Sequence, residues 1–350
     1  MVIKLGIIGT GGMANCQVER FKNIKDCTLI ACCDIDKKKA EVFANKHGIK
    51  SVYEDYNEML SKEKIDAVSV VTSDAFHAPV SIAAFKAGKH VLCEKPMSTN
   101  VKDAYKMLLA ANKAGTINMI NFSYHCAPAA IKAAELIKKL GEIRHVEASY
   151  LQSWVIRIKP ENLSNCWRLS KKLGGSGVLY DIGCHILDLT TSIVGDITGI
   201  RCVLKTHKIP GLKNNRIGNI ILDANNAAFI FADFKNGATG IIHTTYLAFG
   251  QTNSLKIRVY ATKGAIEVDL DKSWTELKFS SGSVNNSGWF PQEEWKTLKC
   301  GNIIDNYTRF IRSIKTGKQD SPTFYDGYKI QKYLDACFKS AEKNSNLIKI

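Results

Sequence analysis

The chain has 350 residues and a formal net charge of +15, and 45% of its residues are hydrophobic while 23% are charged. This composition is typical of a soluble globular protein, and the length exceeds what a single hydrophobic core usually supports, so two domains are predicted. No apolar run approaches the ~18 residues of a membrane span, and a strand-like run starts at residue 2, so neither a membrane helix nor a signal peptide is expected.

The positive charge is distributed along the chain, in clusters such as residues 37–39, 138–139 and 171–172. A surface that binds single-stranded nucleic acid interleaves basic with aromatic residues, and no run in this sequence does so. We therefore predict a solvated, lysine-rich surface that attracts small anions, and no nucleic-acid partner. The eleven cysteines have no metal-ligand spacing, which predicts reduced thiols in a cytoplasmic protein.

The first 122 residues alternate strand-like apolar runs with helical segments. Strands are predicted at residues 2–8, 27–33, 67–71, 89–93 and 117–121, and helices up to residue 21 and at 36–46, 77–87 and 101–114. Such alternation indicates βαβ units. Residues 1–122 are therefore predicted to form an α/β domain with a doubly wound parallel sheet.

Period-two alternation dominates after residue 122. A helix is predicted at 128–140, strands at 147–152, 200–207, 227–234, 238–246, 255–260 and 265–270, and further helices at 181–194 and 325–343. Lys235-Asn236-Gly237 predicts a hairpin turn between two of these strands. Residues 123–350 are expected to form an α+β domain with a large, mostly antiparallel open sheet, whose last helix is able to pack back on the first domain.

Gly9-x-Gly11-x-x-Ala14 lies between the first strand and the first helix, which is the context of a dinucleotide-binding turn. Gly9 permits the tight turn, Gly11 lets the backbone approach a pyrophosphate, and Ala14 lets the helix pack closely. Asp34, at the end of the second strand, is placed to accept both ribose hydroxyls of NAD and to repel a 2′-phosphate. NAD is therefore the predicted cofactor, and the lysines that follow Asp34 leave NADP open.

Three residues after the third strand are further candidates for the cofactor site. Thr72 and Asp74 lie on the loop that should pass under the cofactor, and His77 lies near the start of the next helix. From the amino end of that helix His77 could touch the pyrophosphate, although a structural role is favoured for it.

Lys95 ends the fourth strand and is followed by Pro96. Ligands of open α/β sheets bind beyond the carboxyl ends of the strands, so the ammonium group of Lys95 is expected to reach the ligand crevice. The alternative interpretation is a surface lysine before a turn.

Asp181 and His185 are four residues apart on the predicted helix 181–194, a spacing that puts two side chains on one helical face. Histidine titrates near neutrality, which suits proton exchange with a hydroxyl, and Asp181 would orient that hydroxyl. Metal binding by the pair is the competing interpretation, but the sequence offers no convincing third ligand, so no metal is predicted. Together with Lys95 the pair predicts an interdomain catalytic set.

With these motifs the chain resembles the Gfo/Idh/MocA family, the group of glucose-fructose oxidoreductase and inositol dehydrogenase. The resemblance extends over nearly the whole chain, and it is carried by the glycine-rich turn, residues 72–77, residues 87–96 with their Glu-Lys-Pro run, residues 166–168, and residues 175–188. It implies a Rossmann domain and an NAD(P)-dependent dehydrogenase or reductase that acts on a sugar, inositol or related polyol. It also implies a homodimer or homotetramer assembled through the sheet of the second domain.

The resemblance implies roles for individual residues as well. Lys95 would hydrogen-bond the reacting hydroxyl and the cofactor ribose, His185 would be the acid and base, and Asp181 would hold both substrate and histidine. The cofactor would also contact Gly12, Met13, Ile35, Glu94, Asn121, Trp167 and Arg168. The candidates for the substrate pocket are Tyr124, Trp154, Arg168 and Tyr180. A cis peptide bond between Lys95 and Pro96 is a further implication.

The sequence departs from the family pattern at three positions. Asp74 stands where Asn is usual, Ser73 where Pro is common, and His125 where Arg is frequent. A cofactor contact by Asp74 and the binding of an anionic substrate group at His125 are therefore left open. Two alternatives to a sugar dehydrogenase also remain: a cofactor-binding regulator without turnover and, ranked last, an NAD-dependent glycosidase.

Overall fold

The computed structural model describes residues 2–158, 166–281 and 294–350. The chain divides into two compact units, of which the first contains residues 1–123 and 304–331 and the second contains residues 124–303 and 332–350. Residues 304–331 therefore belong to the first unit although most of the second unit precedes them in the chain.

The first part of the chain alternates strands with helices, as predicted. Its elements are β1 (Ile3–Ile8), α1 (Gly12–Lys22), β2 (Cys27–Cys33), α2 (Lys37–His47), β3 (Ser51–Tyr53), α3 (Tyr56–Lys62), β4 (Ala67–Val70), α4 (His77–Lys86), β5 (His90–Cys93), α5 (Val101–Ala114) and β6 (Asn118–Ile120). The strands form a six-stranded sheet in the order β3-β2-β1-β4-β5-β6, and every neighbouring pair is parallel. The predicted doubly wound sheet is confirmed.

Local sequence signals explain this alternation. All four residues of β4 are buried, as expected for a parallel strand that helices cover on both faces. The side chains of Asp36 and Asn100 cap the first turns of α2 and α5 by accepting a hydrogen bond from an N–H three residues further on. The same two helices end at Gly48 and Gly115, which adopt the left-handed conformation typical of a helix end.

The second part of the chain is richer in strands. Its elements are α6 (Pro128–Leu136), β7 (Ile143–Leu151), α7 (Cys184–Val194), β8 (Ile197–Lys205), β9 (Arg216–Ile217), β10 (Ile220–Ile221), β11 (Ala227–Phe234), β12 (Thr239–Thr245), β13 (Ser254–Ala261), β14 (Gly264–Asp269), β15 (Glu276–Ser281), β16 (Lys296–Lys299), α8 (Asn306–Thr316), α9 (Phe324–Glu342) and β17 (Ile348–Lys349). Short 3₁₀ turns lie at Asp74–Phe76, Ser123–Cys126, Ile137–Lys139, Trp154–Arg157, Cys166–Leu169, Lys171–Leu173 and Lys213–Asn215, and a π-helical turn lies at Leu179–Gly183.

The second unit is built on a nine-stranded sheet in the order β16-β15-β14-β13-β7-β12-β11-β8-β17. Only β7 and β12 pair in parallel among these neighbours, so the predicted mostly antiparallel sheet is confirmed. One face packs against α7, which lies on β7, β12 and β13. The opposite face carries the exposed side chains Phe229, Phe231 and Ile241.

The predicted hairpin turn joins β11 and β12. The N–H of Gly237 donates to the carbonyl of Phe234 (3.0 Å), and the N–H of Phe234 donates to the carbonyl of Ala238 (2.9 Å). Gly237 has φ of 87°, a left-handed conformation that glycine adopts without steric cost. The turn is therefore a three-residue hairpin loop closed by a glycine bulge.

Several elements differ from the sequence prediction. The sequence prediction lacks β3, α3, β9, β10, β15, β16, α8 and β17. The strand β3 and the helix α3 span three and seven residues, which is too short for periodicity to reveal. The helix predicted at 128–140 ends as an α-helix at Leu136 and continues as a 3₁₀ turn, and the helix predicted at 181–194 begins instead with the π-helical turn.

Three further findings concern membranes, metals and disulfides. Across residues 2–158, 166–281 and 294–350, no helix is both long and apolar enough to cross a membrane. The side chains described there include no cluster of three or more His, Cys, Asp and Glu residues suited to a metal ion. Within the same ranges the eleven cysteines form no disulfide bond.

The helix α8 contributes to the core of the first unit. Phe310 and Ile311 are buried in the same cluster as Leu5 of β1 and Phe21 of α1. Tyr307, at the start of α8, packs edge to face on Phe21 with 5.1 Å between ring centroids. Residues 304–331, which we call the returning segment, thus stabilise the helix that follows the glycine-rich turn.

We predict that Phe310→Ala lowers the free energy of unfolding by about 3–5 kcal/mol, because it leaves a cavity among fully buried side chains. The matched control is Tyr325→Ala, which removes an exposed aromatic ring of α9. Urea titration followed by circular dichroism measures both variants. Equal stability of the two variants would contradict the placement of α8 in this core.

Candidate active site

The glycine-rich turn requires glycine at its first position. Gly9 has φ of +95°, and a Cβ atom there would lie 2.5 Å from the carbonyl oxygen of Val71. No L-amino acid with a side chain fits this geometry without moving the backbone. Ala14 is completely buried in the packing of α1, as its small size predicts. The first position of the Gly9-x-Gly11-x-x-Ala14 pattern therefore requires glycine for its backbone conformation, and the last position requires a small side chain for close packing.

The residues around the turn fit a bound dinucleotide. A Cβ at Gly11 or Gly12 would meet no described atom within 4 Å, so the backbone there is open to a ligand. Gly11 caps α1 without a side-chain hydrogen bond, and the first turn holds no acidic residue, which suits a pyrophosphate. The next residue, Met13, is half exposed. The hydroxyl of Thr72 is buried and has no hydrogen-bond partner among the described residues.

Asp34 is held against this turn at the end of β2. Its Oδ2 accepts hydrogen bonds from the N–H and the hydroxyl of Thr10, both at 2.9 Å, and its Oδ1 accepts one from the N–H of Asp36 at 3.0 Å. Burial acts to raise the pKa of Asp34, but these hydrogen bonds and the charge of Lys39 lower it below its ordinary value. The neighbouring Ile35 is 86% exposed. A fixed, ionised carboxylate thus stands where the sequence predicts the ribose contact.

His77 ties two loops of the first unit together. It is 1% exposed, and its ring nitrogens lie 2.8 Å from the carbonyl oxygen of Pro96 and 3.1 Å from that of Thr72. Burial acts to lower the pKa of His77, but the neighbouring Cys93 and Asp74 and the Pro96 carbonyl raise it to about 10. Only an imidazolium donates to two carbonyls at once. This geometry supports the structural role of His77 over a contact with the pyrophosphate.

Lys95 follows β5 directly, as the sequence predicts, and its peptide bond to Pro96 is cis. Its backbone N–H donates to Oε2 of Glu94 (3.2 Å). The carboxylate of Glu94 is buried, and its Oε1 accepts hydrogen bonds from the amides of Gln17 (2.6 Å) and Asn121 (2.7 Å). The structure therefore brings together two of the predicted cofactor residues, Glu94 and Asn121.

This cluster, which we call the Glu94 network, continues into residues that the sequence did not reveal. The hydroxyl of Ser69 on β4 donates to Oε1 of Gln17 (2.5 Å). The amide of Asn121 donates to the hydroxyl of Tyr307 (2.9 Å), and Asn306 donates to Oδ1 of Asn121 (3.3 Å). The polar residues of α1, β4 and α8 thus fix the orientation of the amide of Asn121.

In the second unit, Asp181 lies in the π-helical turn that precedes α7. The hydroxyl of Tyr246 donates to Oδ2 of Asp181 (2.6 Å), and Nε of Arg168 lies 3.4 Å from the same oxygen. The guanidinium of Arg168 lies over the ring of Trp167, 4.6 Å from its centroid. Burial, and next the charge of Asp181, raise the pKa of Tyr246 well above its ordinary value. Tyr246 therefore remains a hydrogen-bond donor to the carboxylate.

His185, in the first turn of α7, is buried against aromatic side chains of its own unit. The ring of Tyr124 stands edge to face with the imidazole at 5.1 Å, and the ring of Tyr150 lies at 6.3 Å. His125, one of the departures from the family pattern, pairs with Asp188 through Nδ1 at 3.0 Å. The predicted acid-base histidine thus packs against the rings of two tyrosines.

The remaining predicted pocket residues separate into two groups. Trp154 packs on Tyr246 with 4.9 Å between ring centroids, so it lies in the surroundings of Asp181. Tyr180 is buried and packs against Phe338 of α9 at 5.6 Å. Tyr180 thus has an aromatic packing contact, and its place in the substrate pocket stays a prediction.

The six-stranded parallel sheet, the glycine-rich turn and Asp34 define a nicotinamide dinucleotide-binding protein. The model of the GFO_IDH_MocA oxidoreductase family, NAD-binding Rossmann fold, matches residues 3–122, and that of the GFO/IDH/MocA C-terminal domain matches residues 129–267. The chain belongs to the Gfo/Idh/MocA oxidoreductase family. It is an NAD(P)-dependent oxidoreductase.

The chain is similar to several named dehydrogenases over most or nearly all of its length. It is 31% identical to D-glucoside 3-dehydrogenase of Escherichia coli, with 99% of this chain and 97% of that protein covered. It is 26% identical to levoglucosan dehydrogenase of Pseudarthrobacter phenanthrenivorans, with 86% and 84% covered. A solved structure of levoglucosan dehydrogenase in complex with NADH and L-sorbose superimposes with a TM-score of 0.87 at 25% identity, covering 99% of this chain and 98% of that chain.

We predict that Asp34→Ala weakens the binding of NAD more than that of NADP. The variant loses the acceptor for the ribose hydroxyls and also the charge that repels a 2′-phosphate. Fluorescence titration of both reduced cofactors measures the two dissociation constants, with Asp36→Ala as the control that leaves the carboxylate of Asp34 in place. An unchanged ratio of the constants in Asp34→Ala would refute the ribose role.

Proposed function

We propose that the protein transfers a hydride between nicotinamide and a hydroxyl-bearing carbon of a sugar, inositol or related polyol. The observation that carries this proposal is the surroundings of His185. An imidazole that can exchange a proton lies beside the phenol groups of Tyr124 and Tyr150, on a unit that also holds the carboxylate of Asp181. The dehydrogenases of levoglucosan, myo-inositol and D-glucosides among the similar proteins support the same substrate class.

The proposal assigns one role to each residue of the catalytic set. The imidazole of His185 accepts the hydroxyl proton during oxidation and returns it during reduction. The ammonium of Lys95 donates a hydrogen bond to the oxygen on which negative charge develops. The carboxylate of Asp181, which Tyr246 and Arg168 hold in place, accepts a hydrogen bond from the substrate. The bound nicotinamide supplies the hydride acceptor or donor.

The cofactor site of the proposal follows the geometry of the first unit. The amino end of α1 binds the pyrophosphate, Asp34 binds the adenosine ribose, and NAD is therefore preferred over NADP. Glu94 and Asn121 line the nicotinamide pocket, and the Glu94 network holds them in one orientation. Trp167 and Arg168 remain proposed cofactor contacts.

We also propose that the protein is a homodimer or homotetramer assembled through the open face of the nine-stranded sheet. Phe229, Phe231 and Ile241 lie exposed on neighbouring strands of this face, which a monomer would leave in water.

The predicted division at residue 122 into a cofactor domain and a domain for substrate and assembly is part of this proposal. The cytoplasmic location stays a prediction from the sequence.

The first test is a screen of the purified protein for reduction of NAD and NADP. The neutral panel consists of levoglucosan, myo-inositol, D-glucose and methyl D-glucoside, and D-glucose 6-phosphate is assayed beside it. We expect NAD to be reduced with at least one of these compounds. Binding of NAD without reduction by any compound would contradict the proposal and favour a regulator that has lost turnover.

We predict that Lys95→Ala and His185→Ala each lower kcat by at least about 100-fold, because each removes a group that stabilises charge or moves the proton. The binding of NAD should largely survive in both variants. Lys102→Ala, which removes an exposed lysine at the start of α5, is the control. Full activity of Lys95→Ala would disprove the catalytic assignment.

We predict that Phe231→Glu shifts the protein to a smaller assembly, since it places a charge in the centre of the apolar face. Size-exclusion chromatography with light scattering measures the molar mass. Phe249→Glu, at an exposed phenylalanine outside the strands, is the control and should leave the mass unchanged. An unchanged mass for Phe231→Glu would argue against assembly through this face.

A further inference from the structure

Four polar side chains form a hydrogen-bonded cluster at the ends of β7 and β13. The hydroxyls of Tyr124 and Tyr150 lie 2.7 Å apart, and the hydroxyl of Tyr150 donates to Oδ1 of Asn253 at 2.7 Å. The amide of Asn253 donates back to the hydroxyl of Tyr124 at 2.9 Å. The amide of Gln152 donates to Oδ1 of Asn253 (2.8 Å) and to the hydroxyl of Tyr150 (3.3 Å). We call these four residues the tyrosine ring.

The directions of these hydrogen bonds follow from the number of protons. Each phenol carries one proton, and that of Tyr150 goes to Asn253, so Tyr124 must donate to Tyr150. The bonds therefore run in one direction around a closed ring, in which each bond polarises the next. The oxygen of Tyr150 accepts two hydrogen bonds and is saturated. The oxygen of Tyr124 accepts one from the described residues and can accept a second from a ligand.

The tyrosine ring lies beside His185. The ring of Tyr124 packs edge to face on the imidazole at 5.1 Å, and it also lies near the indole of Trp274 at 5.3 Å and the ring of Tyr150 at 5.6 Å. Tyr150 is almost completely buried, whereas Asn253 is exposed at the rim. Tyr124 therefore belongs both to the tyrosine ring and to the aromatic surroundings of His185.

The charges near the tyrosine ring disfavour an anionic ligand. Its four members are neutral phenols and amides. Burial, followed by Tyr124 and by the charge of Asp181, raises the pKa of Tyr150 above its ordinary value, so this phenol keeps its proton. Arg168 and His125 are already paired with carboxylates, since Arg168 lies against Asp181 and His125 lies against Asp188.

We propose that Tyr124 and Asn253 form a subsite that binds a hydroxyl of an uncharged polyol or sugar next to His185. Tyr150 and Gln152 are positioning residues that fix the hydrogen-bond direction of this subsite. The inference rests on the proposed function and narrows its substrate class to uncharged sugars and polyols. A neutral hydroxyl both donates to the Tyr124 oxygen and accepts from the Asn253 amide, which a phosphate oxygen does not.

The test compares Tyr150→Phe, Asn253→Ala and the double variant with the unaltered enzyme in the presence of NAD. Each single change should raise KM about tenfold for the panel sugar that the enzyme uses, because it opens the ring. kcat and the KM for NAD should change by less than about twofold. The double variant should resemble the single variants, because both changes break one cooperative unit. Tyr105→Phe, in α5 of the other unit, is the control and should leave KM unchanged.

The outcomes separate this inference from the function on which it rests. If the unaltered enzyme uses a neutral panel sugar but both single variants keep its KM, the subsite is disproved and the oxidoreductase function stands. A higher kcat/KM for D-glucose 6-phosphate than for every neutral sugar overturns the inference in the same way. If the unaltered enzyme reduces NAD with none of the compounds, the proposed function and the subsite fail together. Melting temperatures within the control range exclude misfolding as the cause of a raised KM.

Discussion

The buried carboxylate of Glu94 is the constraint on which the cofactor unit depends. A carboxylate taken out of water is strongly destabilising unless several donors compensate it. Its donors here are the amides of Gln17 and Asn121 and the backbone N–H of Lys95. They come from the helix after the glycine-rich turn, the end of the last parallel strand and the Glu-Lys-Pro run. Satisfying one carboxylate therefore fixes three parts of the site relative to one another.

The returning segment extends this constraint to the far end of the chain. Tyr307 and Asn306 hydrogen-bond Asn121, and Phe310 and Ile311 of the same helix fill the core beneath α1. The polar and the apolar faces of α8 thus serve the same unit. This explains why a segment that follows eight of the nine strands of the second sheet belongs with the first 123 residues.

The second unit organises its polar groups in a different way. Asp181 and His185 lie on a helix that changes from a π-helical turn to a regular α-helix. Their hydrogen-bonding and ring partners, Tyr150 and Tyr246, come from the end of β7 and just after β12. A wide helical turn is a frequent feature of functional sites, and here it sets the position of the carboxylate. The sheet thus supplies two tyrosines, of which Tyr246 hydrogen-bonds Asp181 and Tyr150 packs near His185.

The sequence predicted the elements whose apolar pattern is long and regular. The helix over Val101–Ala114 was predicted at its observed bounds, and the hairpin at Gly237 followed from turn chemistry. The π-helical turn could not be predicted, because its altered hydrogen bonding leaves no periodic signal. The partners of the site were also out of reach, since Tyr246 is 65 residues from Asp181 and Gln17 is 77 residues from Glu94. Such pairs exist only once the strands are assembled.

The measurement that tests the central claim most directly is the transfer of deuterium from a sugar to the cofactor. The enzyme is incubated with NAD and a fully carbon-deuterated form of the panel sugar that it uses, and the reduced cofactor is analysed by mass spectrometry and NMR. The account predicts that one deuterium appears at C4 of the nicotinamide ring. Reduced cofactor that contains no deuterium would contradict direct hydride transfer from a carbinol carbon.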